Sequence, residues 1–455
     1  MRVLLVDPPD LFLDGAGHTR QVLPLGLASI AAVLRPHHDV TMLLPDARSY
    51  RGGDPWGEIL RAVEAWAPDV IGMTAVTATF PSAKRLAALF GERLPGVPVV
   101  MGGVHATFEP EAVARTKGVY AVVAGEGEVS FPSLLEGIER ARAGRPFGHF
   151  DPASLAGVFA ADESGNVRHG PERELVRDLD ALPLPDRDSI LWKDDLQSAF
   201  YQALITLRGC PYRCIYCSVP NGPEGKTRYR SPAAVAAEVA HMKERYGIPY
   251  VFFHDSVFTL HRRRTLEICD ALEARGLRIP FACQTRADRV DEALLDRLVE
   301  VGLHQVFFGI ESGDRTSLAL IRKDMPLEQI RRAVGWVKAR GIRCTGFFMV
   351  GFPWETPELM RQTGRFACEL GLDAVSLFSA TPLPGTELWR MTQSAGKPVP
   401  DAIDFRAPVV NLTAMSADEY AAVYQELKSN IDAHNQMRMM AALPAWPGSG
   451  LRDQP

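Results

Sequence analysis

The sequence has no long apolar run, no basic run and few cysteines for its length, and each absence excludes a class of protein. No apolar stretch approaches the ~18 residues that a membrane span needs. The net charge is −5 without clustered Lys or Arg, so nucleic acid binding is not predicted. Seven cysteines in 455 residues, without a secretion signal, exclude a disulfide framework. We therefore expect a cytoplasmic protein with reduced thiols and no membrane partner.

The composition predicts a globular chain of two or three domains. Hydrophobic residues make up 46% and charged residues 23%. We divide the chain at changes in its pattern into residues 1–145, a Rossmann-like domain; 146–200, a hairpin and a Pro-rich linker; 201–400, a partial barrel; and 401–455, a C-terminal helix and a disordered tail.

The first 145 residues alternate strands with helices, which predicts a doubly wound, Rossmann-like parallel sheet covered on both faces. Apolar strand segments lie near residues 3–6, 40–44, 70–74, 99–101 and 119–124. Ligands of such sheets bind at the carboxyl ends of the strands. Gly102, Gly103 and His105 lie at one of these ends, and the Gly-Glu-Gly-Glu segment at 125–128 lies at another. Paired glycines would let the backbone approach a flat ligand closely.

From residue 203 the alternation resumes, with strands expected near residues 204, 250, 280, 305, 343 and 374. Six strand–helix units predict a partial (β/α)6 barrel of the TIM type, with functional groups at the carboxyl ends of its strands. The residues at these ends that we single out are Asp255, Ser256, Arg286, Glu311, Ser312, Gly346 and Gly351.

Three cysteines directly follow the first of these strands. Cys210, Cys214 and Cys217 form the run Cys-Pro-Tyr-Arg-Cys-Ile-Tyr-Cys. Their spacing differs from that of zinc knuckles, and an iron–sulfur cube normally takes four thiolates. Three thiolates would leave one iron open to another ligand. The other four cysteines are expected to be small buried hydrophobes. A zinc or non-catalytic iron–sulfur scaffold is a remote alternative, which needs a fourth ligand that is not visible nearby.

With Tyr216 before its last cysteine, this run resembles the motif of the radical S-adenosylmethionine (SAM) superfamily. The resemblance implies a [4Fe-4S] cluster on Cys210, Cys214 and Cys217, with SAM chelating the fourth iron. It further implies reductive cleavage of SAM to a 5′-deoxyadenosyl radical, which abstracts hydrogen from a substrate.

The resemblance also implies the residues that hold SAM. They are Asp255 and Ser256 for the methionine amino group, Arg286 for the carboxylate, Glu311 and Ser312 for the ribose or carboxylate, Gly346 and Gly351 along the adenine, and Tyr216 through its backbone. This chain has His-Asp-Ser at 254–256 where many relatives have Gly-Gly-Glu, so it departs from the pattern at the amino-group ligand.

The N-terminal half resembles the cobalamin-binding domain attached to one large class of these enzymes. The segments at 24–28, 102–107 and 125–128 carry the resemblance, which implies cobalamin contacts at Gly102, Gly103 and His105. The Asp-x-His-x-x-Gly motif, which supplies an axial histidine in other cobalamin proteins, is absent. A Rossmann-like domain without cobalamin is therefore an open alternative.

No motif in the sequence specifies the reaction that follows hydrogen abstraction. We expect radical dehydration or rearrangement of a small polar metabolite in natural-product biosynthesis, as in the radical SAM diol dehydratases of aminoglycoside antibiotics. The alternative is cobalamin-dependent C-methylation. Because no second cluster motif exists, an external electron donor of the flavodoxin or ferredoxin type is expected.

Overall fold

The computed structural model describes residues 1–9, 22–45, 54–144, 150–173, 175–193, 196–219, 226–400, 403 and 407–441. The chain forms two compact units. The first comprises Met1–Ser256, Asp270–Ile279 and Pro382–Asp404, and the second comprises Val257–Cys269, Pro280–Thr381 and Phe405–Pro455. The tail predicted to be disordered lies largely outside the described residues.

The first unit is built around an eight-stranded sheet. Its strands are β1 (Arg2–Val6), β2 (Asp39–Leu43), β3 (Val70–Thr74), β4 (Val99–Gly102), β5 (Val119–Val123), β6 (Val158–Ala161), β7 (Val167–His169) and β8 (Ile190–Leu191). Their order is β7-β6-β5-β4-β3-β1-β2-β8. Neighbours from β5 through β2 pair in parallel, as the alternation of strands and helices predicted.

Both faces of this sheet are buried. Along β1, Val3 and Leu5 belong to one apolar cluster, whereas Leu4 and Val6 belong to another. Successive side chains of a strand point to opposite faces, so helices must cover both. The helices of this region are α1 (Leu25–Leu34), α2 (Pro55–Trp66), α3 (Phe80–Arg93), α4 (Val104–Phe108), α5 (Pro110–Ala114) and α6 (Gly127–Gly144).

The segment predicted as a linker extends this sheet at both edges. The expected hairpin is present, with β6 and β7 antiparallel and β6 paired antiparallel to β5. At the opposite edge, β8 pairs in parallel with β2. Two-residue strands carry little periodicity, which is why β8 could not be predicted from the sequence.

The first unit also contains the start of the predicted barrel. It includes β9 (Ala203–Leu204), β10 (Leu207–Arg208), β11 (Arg228–Tyr229), α7 (Pro232–Tyr246) and β12 (Val251–Phe253). β9 and β12 are parallel, whereas β10 and β11 form a short antiparallel pair. Both ends of α7 carry typical capping residues: the Ser231 hydroxyl accepts from Ala234 N, and Gly247 closes the helix at φ 59°.

The second unit continues the strand–helix alternation. Its strands are β13 (Phe281–Thr285), β14 (Leu303–Glu311), β15 (Arg343–Val350) and β16 (Ala374–Ser379), which pair in parallel in chain order. The helices that follow α7 are α8 (Arg262–Ala274), α9 (Glu292–Glu300), α10 (Arg315–Leu320), α11 (Leu327–Ala339), α12 (Pro357–Glu369), α13 (Glu387–Ser394) and α14 (Ala417–Ala441). The predicted fold class, a Rossmann-like sheet followed by a partial (β/α)6 unit, is confirmed.

α14, the predicted C-terminal helix, packs on the second unit through one apolar face. Tyr420, Val423, Tyr424 and Leu427 are buried in one cluster with Val350 and Met360, among others. Within the described residues, no helix is both long enough and apolar enough to cross a membrane.

Candidate active site

The three clustered cysteines lie on a tightly held loop of the first unit. The loop starts at Gly209, whose φ of 90° and close approach to Lys226 leave no room for a side chain. Cys210 and Cys214 are each 8% exposed, and Cys217 is half-buried. Within the loop Cys217 N donates to Cys214 O over 3.2 Å, and Leu388 N donates to Ile215 O over 2.9 Å. The loop is therefore fixed by the backbone around the thiols.

The donor set of this loop suits an iron–sulfur cluster. Cys210, Cys214 and Cys217 are thiols and not disulfide partners. In the part of the chain that the structure describes, no three His, Cys, Asp or Glu side chains converge as ligands of a single metal ion. In a four-iron cluster each thiolate binds a different iron, so such convergence is not required.

The remaining cysteines are mostly core residues. Cys269, Cys283 and Cys344 are at most 1% exposed, as expected for small buried hydrophobes, whereas Cys368 is half-buried. Burial raises the pKa of the Cys344 thiol well above its usual range, which disfavours the thiolate.

A cavity of about 530 Å³ opens at the carboxyl ends of the parallel strands in the first unit. Its wall includes Gly102, Gly103 and the Gly125–Glu128 turn. On another side it is lined by Arg208 and Gly209, the residues just before Cys210. One cavity thus reaches from the glycine-rich turns to the base of the cysteine loop.

The two glycine-rich turns of this wall are joined by Thr107. Its hydroxyl donates to Gly103 O over 2.8 Å and accepts from Gly125 N over 2.9 Å. Gly103 has a φ of 93°, and an added Cβ would lie 2.6 Å from Thr74 Oγ1, so only glycine fits there. The Gly-Gly-x-His-x-Thr run at 102–107 therefore has a structural reason in its second and last positions, Gly103 and Thr107.

His105 lies behind this wall and is not among the residues that line the cavity. Its ring lies 4.0 Å from that of Phe80, and Nδ1 is 3.3 Å from Thr77 Oγ1. The imidazole is 8% exposed. His105 is therefore a packed residue of α4, and the contact with cobalamin expected from the sequence stays a prediction without support from the geometry.

At the end of β12, Asp255 and Ser256 have different environments. The buried Asp255 carboxylate accepts from Thr206 N over 2.7 Å, Thr206 Oγ1 over 2.6 Å and Leu207 N over 3.0 Å. It thereby ties β12 to the segment that leads into the cysteine loop, a role that the sequence did not predict. Ser256 is exposed and lines the cavity together with His254. Burial lowers the pKa of His254, which favours its neutral form.

In the second unit, two predicted SAM ligands belong to buried charge networks. Arg286 donates to both oxygens of Asp288, over 2.8 and 2.9 Å, and to Lys323 O over 2.8 Å. Glu311 pairs with Lys323 Nζ at 3.0 Å and has a φ of 73° at an irregularity in β14. Lys323 was not predicted as a residue of this site, because it lies twelve residues from its partner Glu311, beyond a helix and a turn.

The other predicted positions of this unit are packed against protein. Ser312 is fully buried, with Oγ 3.1 Å from Thr363 Oγ1. A Cβ at Gly346 would lie 2.6 Å from Leu372 Cδ1, and one at Gly351 would meet the Tyr420 hydroxyl. In the first unit, Tyr216 is half-buried in the turn before Cys217. The contacts of all these residues with SAM stay predictions.

Glu355 is a buried carboxyl that the sequence placed only within a glycine-rich segment. It accepts from Gly351 N over 2.6 Å and from Phe352 N over 3.0 Å. Burial raises its pKa to about 7, with the nearby Asp314 charge adding to the shift against those two hydrogen bonds.

Glu355→Gln is expected to flatten the dependence of stability on pH. A carboxyl whose pKa is raised on folding stabilises the fold at pH values below its ordinary pKa. This contribution is lost as the pH rises through about 7. The loss is on the order of 3 kcal/mol, whereas glutamine keeps an acceptor and does not titrate. Urea unfolding at about pH 5 and about pH 8 would measure it. The control Glu358→Gln changes an exposed carboxyl and should keep the wild-type pH dependence. If stability depends on pH as steeply in Glu355→Gln as in wild type, the Glu355 carboxyl does not have the raised pKa.

Comparison with protein families matches residues 204–367 to the radical SAM superfamily and residues 19–135 to the B12 binding domain. An uncharacterized methyltransferase of Pyrococcus horikoshii is 33% identical over 395 residues, covering 86% of this chain and 82% of that protein. The cytidylyl-2-hydroxyethylphosphonate methyltransferase of Streptomyces wedmorensis is 28% identical over 442 residues, with 86% and 81% covered. The anaerobic magnesium-protoporphyrin IX monomethyl ester cyclase of Rubrivivax gelatinosus is 26% identical over 429 residues, with 92% and 75% covered.

Among solved structures, the radical SAM methyltransferase TsrM from Kitasatospora setae, with cobalamin and a [4Fe-4S] cluster bound, shares the fold. Its TM-score is 0.71 at 20% identity, and the match covers 93% of this chain and 81% of that one. The cobalamin-dependent radical enzyme OxsB gives a TM-score of 0.70 at 17% identity, with 96% and 72% covered.

The fold and the site thus define a radical SAM enzyme. The chain belongs to the radical SAM superfamily, in the group whose members carry an N-terminal B12-binding domain. Its cofactors follow from these two domains: a [4Fe-4S] cluster and SAM for the radical SAM domain, and cobalamin for the other. The recognition, enzyme class and cofactors predicted from the sequence are confirmed, whereas the domain boundaries and individual ligands stay predictions.

Proposed function

We propose that this chain is a cobalamin-dependent radical SAM methyltransferase that acts on a small molecule. The observation that carries the proposal is the cavity of about 530 Å³, which joins the glycine-rich wall of the B12-type sheet to the base of the cysteine loop. Methyl transfer that uses both cofactors requires their sites to communicate, and one continuous cavity provides this.

The relatives favour methylation over the dehydration or rearrangement expected from the sequence. Two of the three relatives described above carry methyltransferase names, and none is named a dehydratase. Our main expectation therefore lacks support, and its alternative fits better. The absent axial-histidine motif had tilted the expectation towards a domain without cobalamin, and the match to the B12-binding family removes that argument.

The cavity wall fits a large flat cofactor. Gly102 and Gly26 both line it, and a Cβ at Gly26 would meet no atom within 4 Å, so there is open space at this face. Leu5, Val100 and Phe131 add an apolar lining that excludes water. When bound, cobalamin supplies methyl-group transfer chemistry, and the cluster with SAM supplies one-electron chemistry. The protein's part is to position these groups and keep solvent out.

The residues nearest the cysteine loop are proposed to receive SAM and substrate. The exposed Ser256 and the neutral imidazole of His254 line the cavity, so both can hydrogen-bond a polar ligand there. Asp255, Arg286, Glu311, Ser312, Gly346, Gly351 and Tyr216 remain our proposed SAM contacts. An external flavodoxin- or ferredoxin-type donor is proposed to reduce the cluster.

Metal analysis tests the proposal. Protein made in cobalamin-fed cells and purified without oxygen should contain about four iron atoms and about one cobalt atom per chain. Protein that contains iron but no cobalt would contradict cobalamin-dependent methyl transfer. The N-terminal domain would then have a structural role only.

A further inference from the structure

The cysteine loop is closed at its base by two arginines that face each other. Arg208 and Arg228 are directly opposite partners in the antiparallel pair of β10 and β11, which brackets residues 209–227. Like charges directly opposite in such a pair destabilise it. Each strand has only two residues, so the pair has little other stabilisation.

The compensating charges come from the B12-type domain. Arg228 Nη1 donates to Glu126 Oε2 over 2.9 Å and Nη2 to Glu126 Oε1 over 2.5 Å, while Arg208 Nη1 lies 3.2 Å from the same Oε1. Arg208 Nη2 donates to Glu128 Oε1 over 2.5 Å. The four side chains are between 6% and 25% exposed, where such pairs are screened less than at the surface.

The charge state of Glu126 agrees with this arrangement. Burial opposes its ionisation, yet hydrogen bonds and charge from Arg228 and Arg208 lower the pKa of the carboxyl overall. The pKa of Arg208 is raised by Glu128 and Glu126, against its burial. Glu126 therefore acts as the shared counterion of both arginines.

The same turn forms part of the cavity wall. Glu126 and Glu128 line the cavity together with Gly125, whose N–H is held by Thr107 and through it by Gly103. A ligand that packs against this wall and a ligand held by the cysteine loop would thus order the same set of contacts.

We infer that Glu126 is a positioning residue that couples cobalamin binding to the placement of β10, the strand that leads into Cys210, so that each site binds more tightly when the other is filled. The inference rests on the proposed function for the identity of cobalamin. Linkage requires the effect to be reciprocal: the cluster and SAM should strengthen cobalamin binding by the factor by which cobalamin strengthens theirs.

The test compares hydroxocobalamin affinity, by anaerobic absorbance titration, in the cluster-loaded and cluster-free forms of the full chain. Wild type is expected to bind about tenfold more tightly in the loaded form, and Glu126→Gln should reduce this ratio to about one. The control Glu136→Gln changes an exposed residue of α6, the helix that directly follows Glu126, and should keep the wild-type ratio. In the cluster-loaded form, SAM should strengthen cobalamin binding by the same factor by which cobalamin strengthens SAM binding.

The possible results separate the two proposals. A ratio that is the same in wild type and in Glu126→Gln would overturn the coupling and leave the methyltransferase proposal standing. Absence of cobalamin binding to wild type would overturn both. If circular dichroism shows Glu126→Gln to be unfolded, Arg228→Lys decides instead. Lysine at position 228 keeps the charge but cannot make the bidentate contact with Glu126, so the affinity ratio should lie between one and the wild-type value. A ratio equal to that of wild type would refute the coupling.

Discussion

Cys210→Ala is expected to remove the iron–sulfur cluster and all reductive cleavage of SAM. Three protein thiolates already leave one iron without a protein ligand, so loss of another leaves too few to hold the cube. Because the adenosyl radical forms only through the cluster, no residual route exists. Iron per chain should fall from about four to near zero, with 5′-deoxyadenosine below detection.

The matched control is Cys368→Ala. This cysteine is half-buried on α12 and lies outside the Cys210–Cys217 run of the sequence. Burial is the main cause that raises the pKa of its thiol. Its replacement should leave iron and SAM cleavage unchanged. Iron retained in Cys210→Ala, or lost equally in Cys368→Ala, would contradict the assignment of the cluster ligands.

Gly102→Leu is expected to block the cobalamin cavity without unfolding the domain. A Cβ at this position would meet only Val123 O, at 3.4 Å, so the backbone tolerates a side chain while the added isobutyl group extends into a cavity-lining position. Overpacking a site costs roughly 1–3 kcal/mol, so cobalamin should bind about 10- to 100-fold more weakly. Absorbance titration with hydroxocobalamin measures the loss.

Gly335→Leu makes the same chemical change on the exposed face of α11, where a Cβ would meet nothing within 4 Å. It should leave cobalamin affinity and iron content unchanged. Gly102→Leu itself should keep its iron, since the cysteine loop is untouched. Wild-type cobalamin affinity in Gly102→Leu would show that this cavity is not the cobalamin site.

Local rules of sequence predicted much of the fold. Alternating strands and helices indicated the parallel sheet, and Ser231 with Gly247 marked the ends of α7. The rule that ligands bind at carboxyl ends of parallel strands placed Gly102 and Gly103 in what proved to be the cavity wall. These features depend on neighbours close in the chain, which a sequence displays directly.

Long-range polar pairing could not be predicted in the same way. Glu126 and Arg228 are 102 residues apart, and nothing near either residue indicates the other. Asp255 was predicted to bind SAM from its place at the end of a strand, and that contact stays a prediction. Its hydrogen bonds from Thr206 N and Leu207 N could not be predicted, because they depend on the pairing of β9 with β12. His105 stood beside paired glycines in the sequence, but one turn of α4 carries its ring behind the wall and against Phe80.

The reaction type was the least accessible property. The cysteine motif specifies how the radical is generated, and no single motif specifies what happens to the substrate radical. The absent axial-histidine motif argued against cobalamin in the sequence, whereas the glycine-rich and apolar lining of the cavity favours a flat cofactor. Shape and lining of the cavity, which require the folded chain, were the missing information.

The most direct test of methyl transfer is the fate of the SAM methyl group. Protein loaded with cluster and cobalamin is incubated anaerobically with methyl-labelled SAM and a strong reductant, and nucleoside products are separated. The account predicts S-adenosylhomocysteine in at least about one equivalent per bound cobalamin, and none when cobalamin is omitted. Formation of 5′-deoxyadenosine alone, with the label retained in methionine whether or not cobalamin is present, would contradict it.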